Sequence, residues 1–79
     1  MTNIRKFTSA FSNALTISED KIIDSLKYQS IPEWDSVSHM VLITELEDVF
    51  EISLDTEDVI DMSSVLKAKE ILAKHNILI

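Results

Sequence analysis

No glycine occurs anywhere in the 79-residue chain, and Pro32 is its one proline. This argues against tight β-hairpins, whose two-residue turns rely on glycine or Asn-Gly for positive φ. It also excludes the glycine-rich loops that cradle phosphates and dinucleotides. Helices joined by polar loops remain, so the expected fold class is all-α. Cysteine is absent as well, which removes disulfides, thiolate catalysis and Cys-ligated zinc. Apolar residues make up 46% of the chain, enough for a packed core in a single domain over residues 1–79.

Apolar spacing predicts where the helices lie. Ile4, Phe7, Phe11 and Ala14 or Leu15 recur every three or four residues and predict a first helix over about Thr2 to Leu15, capped by Thr2 or Asn3. Thr16 to Asp35 is a long connection. A helical piece is expected within it after Ser18, with Ile22, Ile23 and Leu26 on one face. Pro32 disfavours helix at Ile31 and prepares an extended approach to Asp35. Ser36 to Glu51 carries the strongest helical signal. Asp35 or Ser36 can cap it, and Leu42, Ile43, Leu46, Val49 and Phe50 share one arc with His39. A short third helix follows Thr56. Ser63 or Ser64 caps a fourth over about Val65 to Lys74, with Val65, Ala68, Ile71 and Leu72 inward and Asn76 as a left-handed stop.

The formal net charge is −7, and its distribution is uneven. Between Tyr28 and Leu66 there are ten Asp or Glu and no Lys or Arg. Nucleic acid and anionic membranes are poor partners for such a surface, because phosphate binding needs basic side chains. Basic protein surfaces are the natural partners, although an acidic face also serves solubility alone. Met1 to Lys6 carry no apolar signal run, and no stretch approaches the ~20 apolar residues of a membrane span. The expectation is a cytoplasmic monomer without membrane insertion.

Ser36 begins the best-marked helix, directly after Asp35. A helix N-terminus offers unpaired N–H groups and the positive end of the macrodipole, so a phosphodiester on that side chain would be well placed. Taken alone, Asp-Ser at a helix start reads equally as an ordinary cap. Val37, Met40 and Val41 put apolar side chains on the predicted outer side of the same helix, with Glu47, Asp48 and Glu51 further along. Such a patch fits a partner with an apolar centre and a basic rim; it would also fit packing against the long connection. His39 stands one turn from Ser36, but a Ser-His nucleophile needs an orienting acid and an oxyanion site that the chain does not visibly supply. The better reading is a partly buried, hydrogen-bonded histidine. His75 is remote, so the histidines form no metal motif, and Asp55 to Asp58 lack the spacing of a calcium loop.

The segment Trp34-Asp35-Ser36-Val37-Ser38-His39-Met40-Val41-Leu42-Ile43-Thr44-Glu45-Leu46-Glu47-Asp48-Val49-Phe50 resembles the modification region of acyl carrier proteins. Ile52, Leu54, Asp55, Val59, Ile60, Ser63-Ser64-Val65 and Ile71-Leu72 resemble the family's third and fourth helices. The resemblance implies a small four-helix bundle of the acyl-carrier type, with a long first loop and a short third helix. It implies that Ser36 takes a 4′-phosphopantetheine arm from coenzyme A through a magnesium-dependent phosphopantetheinyl transferase, with Asp35 assisting recognition. The carrier itself catalyses nothing. It delivers its thioester-bound cargo to acyl-loading and acyl-transferring enzymes with basic docking surfaces, and Val37, Met40, Val41, Glu45, Glu47 and Asp48 are the interface candidates.

Val37 replaces the usual leucine of the family. Trp34 stands where many fatty-acid carriers have a small residue, the nearby glycine is missing, and Ser38 and Val41 occupy positions that are often acidic. These departures resemble carriers of specialised pathways, with cargo ranging from fatty acyl to polyketide, aminoacyl or sugar-modifying acyl groups. Two other functions remain open from the residues: an unmodified helical protein–protein interaction module using the same patch, and a small hydrolase built on Ser36 and His39.

Overall fold

The computed structural model describes residues 2–79, with Met1 outside the described residues. Among the described residues four α-helices follow one another: α1 (Asn3–Leu15), α2 (Ser36–Phe50), α3 (Thr56–Asp61) and α4 (Val65–Lys74). The expected all-α architecture, with a long first connection and a short third helix, is therefore present. Each helix starts on a polar side chain that occupies one orphan N–H. Thr2 accepts from Arg5 N in α1, Asp35 from Ser38 N in α2, Asp55 from Asp58 N in α3 and Ser64 from Lys67 N in α4.

The core forms where the apolar stripes meet. Phe7, Ala10, Phe11, Ala14 and Leu15 of α1 join Leu42, Ile43 and Leu46 of α2 and Val65, Ala68, Ile71 and Leu72 of α4, with Trp34 and Met62 from the connections. Val49 and Phe50 are half-buried against this cluster. Ile4 departs from the expected stripe and is exposed. It lies one turn ahead of Phe7, where the helix end meets the C-terminal tail through Asn3 Nδ2, which donates to the Leu78 carbonyl at 3.1 Å. The tail packs back: Asn76 takes the left-handed conformation at φ 65° and Ile77 turns into the core.

In the long connection the helical piece expected after Ser18 is a single 3-10 turn, Glu19–Lys21, which ends before Ile22, so Ile22, Ile23 and Leu26 do not share a helical face. Ile22 and Leu26 are half-buried, whereas Ile23 is exposed. Its order comes from across the chain. Tyr28 N donates to Ser63 O at 2.9 Å, Val65 N to Leu26 O at 2.9 Å and Leu66 N to Asp24 O at 3.2 Å, so the connection runs as a strap along the start of α4. Lys69 Nζ adds a 2.6 Å bond to Asp24. Beyond the strap, Pro32 sits in a turn closed by Trp34 N donating to Ile31 O at 3.2 Å. This differs from the extended approach expected there: proline's fixed φ suits the second position of a β-turn, and the chain is extended at Asp35, at φ −111° and ψ −173°.

Candidate functional site

The start of α2 is built by two side chains that flank Ser36. Asp35 Oδ1 accepts from Ser38 N at 2.9 Å, while Asp35 N donates to Ser38 Oγ at 2.9 Å. Ser38 Oγ in turn donates to Glu33 O at 2.6 Å. This reciprocal box satisfies the helix start and ties it to the preceding turn. The Ser38 N–H, donating to the Asp35 carboxylate, holds it below its ordinary value, so the group stays ionised at the positive end of the helix. Sequence reasoning named Asp35 and missed Ser38; the legible signal was the Asp-x-x-Ser spacing of a capping box.

Ser36 is the first residue of α2 and is exposed. The cap bonds run between Asp35 and Ser38 and leave its hydroxyl out. A phosphodiester on Ser36 Oγ would stand at the end of a 15-residue helix without displacing a cap bond, so the residues present fit a phosphopantetheine arm.

Beneath this surface lies a buried polar chain. Trp34 is fully buried, with Phe11 edge-on at 5.5 Å between ring centroids, Tyr28 edge-on at 6.2 Å and His39 stacked at 6.1 Å. Trp34 Nε1 donates to His39 Nδ1 at 3.0 Å. The indole N–H can only donate, so Nδ1 is the acceptor and the ring proton sits on Nε2. That nitrogen lies 2.9 Å from the Val59 carbonyl of α3 and donates to it. His39 is thus the buried, hydrogen-bonded histidine expected from the sequence, and neither nitrogen is free to take a proton from Ser36. The hydrolase reading loses its base.

Val37, Met40 and Val41 face outward, 73%, 56% and 45% exposed. Asp48 is exposed and Glu45 is half-buried on the same helix. Glu47 has a structural duty: its Oε2 accepts from Leu54 N at 2.8 Å and holds the loop into α3. Ile60 of α3 is 73% exposed, an outward apolar residue that the sequence reading placed on no surface. Not all of the acidic run is surface charge. Asp58 is buried and bonded to Lys74 and His75 of the α4 end, and Asp35 and Asp55 serve as caps.

A cleft of about 260 Å³ lies between α3 and α4, lined by Asp61, Lys67, Glu70, Ile71 and Lys74 and by none of the residues around Ser36. Among the described residues there is no cluster of side chains arranged to hold a metal, and no helix is long and apolar enough to cross a membrane.

No family model matches the chain. It is similar to an acyl carrier protein of Lactobacillus johnsonii, with 29% identity over 70 residues, covering 89% of this chain and 88% of that one. The likeness extends over most of the chain, and it supports the family resemblance read from the sequence.

Proposed function

We infer that this chain is an acyl carrier protein that bears a 4′-phosphopantetheine arm on Ser36. One observation carries the reading: Ser36 is exposed at the first turn of α2, with its hydroxyl outside a cap made by its neighbours, in a chain similar to a carrier over nearly all its length. In loading, Ser36 Oγ forms the new O–P bond as the phosphoanhydride of coenzyme A breaks. The adenosine bisphosphate leaves, and the hydroxyl proton passes to the transferase. The arm supplies a terminal thiol that holds an acyl group as a thioester.

The chain's own residues present the site and guide the partner. Asp35, ionised beside Ser36, is suited to a magnesium-dependent transferase that places metal and coenzyme A there. Val37, Met40 and Val41 offer an apolar centre, and Glu45 and Asp48 an acidic margin, to loading and transferring enzymes with basic surfaces. The protein is then a monomeric cytoplasmic carrier rather than an enzyme. The departures at Trp34, Val37, Ser38 and Val41 favour a specialised acyl pathway over housekeeping fatty-acid synthesis.

The test is intact-protein mass spectrometry after incubation with coenzyme A, magnesium and a broad-specificity phosphopantetheinyl transferase, with Ser36→Ala alongside. A gain of one phosphopantetheine in the wild type alone is expected. No gain with two unrelated transferases, on folded protein, leaves the unmodified interaction module, which the exposed apolar residues of α2 and α3 also favour.

A further inference from the structure

Beside Ser36 the bundle contains one buried polar route between elements far apart in sequence. It starts at Trp34, two residues before Ser36, passes through His39 of α2 and ends on Val59 of α3. His39 is 9% exposed, and Trp34 is fully buried. α3 has only six residues, too short to be stable by itself in water. Its position is therefore set by its anchors, and His39 is the side chain that ties it to α2. The next residue along, Ile60, is the one α3 presents to solvent as a large apolar group.

We propose that Trp34 and His39 are positioning residues for loading at Ser36: their hydrogen-bond chain to the Val59 carbonyl fixes the approach to Asp35 and the placement of α3 against α2, so that the transferase meets Ser36 and the α2–α3 face as one rigid unit. The inference rests on the Ser36 reading above. Removing His39's ring strands two groups at once, the buried Trp34 N–H and the part-buried Val59 carbonyl, and the local structure must open to hydrate the indole N–H. Opening there displaces the Trp34–Asp35 segment and loosens α3 from α2, while the Asp58 bonds to Lys74 and His75 still hold α3 to the end of α4.

Chemistry suggests a replacement that keeps the chain. A glutamine amide carries an acceptor and a donor on one carbon, as the imidazole carries its two nitrogens across one carbon. His39→Gln can then accept from Trp34 and donate to Val59, whereas His39→Leu fills space and does neither. Trp34 is the one tryptophan of the chain, so its fluorescence reports this site alone.

The experiment measures loading by the transferase, Trp34 emission and amide exchange on the full chain, for wild type, His39→Leu and His39→Gln. For His39→Leu the transferase's KM for the carrier is expected to rise by about tenfold with kcat within a factor of about two. Trp34 emission should shift, and α3 amides should lose protection while α1 amides keep theirs. His39→Gln should return KM to near the wild-type value. Unchanged KM in His39→Leu, or failure of His39→Gln to restore it, overturns the positioning role. Should His39→Leu not fold, Trp34→Phe cuts the same chain at its first bond, and an unchanged KM there overturns the role equally. No loading of the wild-type chain removes the Ser36 reading and the positioning role with it, whereas normal loading of every variant removes the positioning role alone.

Discussion

Lys74 donates from Nζ to Asp58 Oδ1 across 2.8 Å, joining an ammonium that is 62% exposed to a carboxylate that is 5% exposed. His75 Nε2 lies 3.3 Å from the other carboxylate oxygen, so the end of α4 encloses the one buried acid of α3. The Lys74 hydrogen bond pulls Asp58 below its ordinary 3.8 despite burial, and Asp58 lifts Lys74 above its ordinary 10.5.

The pair has two pH limits of opposite sign. The depressed acid contributes stability that is fully present above pH 3.8 and lost as pH falls through its lowered value. The raised ammonium contributes stability that is fully present below pH 10.5 and lost as pH climbs through its higher value. Urea unfolding followed from neutral pH down to pH ~3 should show stability falling on the acid side. Asp58→Asn should lower the neutral plateau and flatten that fall. An acid slope unchanged in Asp58→Asn assigns it to other carboxylates.

The two serines that flank Val37 should behave oppositely. Ser36→Ala removes a hydroxyl outside the cap, so its thermal midpoint stays near that of the wild type while loading is lost. Ser38→Ala keeps the backbone N–H bond to Asp35 Oδ1 but removes the hydroxyl that accepts from Asp35 N and donates to Glu33 O, and should cost about 1 kcal/mol, a drop of roughly 4–8 °C in a chain this size. Equal melting of the two variants would contradict the assigned cap.

Glu51 closes α2 in the left-handed region, at φ 54°. A Cβ there costs about 1–2 kcal/mol, and glycine returns part of that gain as greater freedom in the unfolded chain. Glu51→Gly is therefore expected to stabilise by about 0.5–1 kcal/mol, read as a higher thermal midpoint. A lower midpoint would mean that the Glu51 side chain makes contacts worth more than the backbone relief.

The two faces of α2 are expected to separate stability from the proposed docking. Leu46 is fully buried, and Leu46→Ala should cost about 2–5 kcal/mol, a large share of what a 79-residue domain holds. Met40→Ala, on the exposed side, should change stability by less than about 0.5 kcal/mol yet weaken loading. Calorimetry and transferase kinetics on the two variants test this contrast.

Sequence periodicity located α2 and α4 well, because their inward residues fall on one stripe and their caps are local. Asn76 was legible for the same reason: the left-handed stop is a property of one residue. The stretch from Thr16 to Asp35 was not legible. Its order rests on backbone bonds from Leu26 and Tyr28 to residues 63–65, and a strap held from across the chain leaves no period in its own sequence. The site divides in the same way. Asp35 and Ser36 were readable from a helix start, whereas the Trp34–His39–Val59 chain joins residues up to 25 positions apart, and only folding brings them together. Glu47 looked like one more surface acid until the Leu54 N–H was found against it.

Asp35 and Ser38 hold the start of α2 without help from the hydroxyl of Ser36, which lies between them. If Ser36 bears the proposed arm, adding the arm or emptying it leaves both cap bonds their own donors and acceptors, since neither uses Ser36 Oγ. The helix start then needs no rebuilding between one state of the arm and the next, and the cost of carrying a load falls elsewhere than on the turn that presents it.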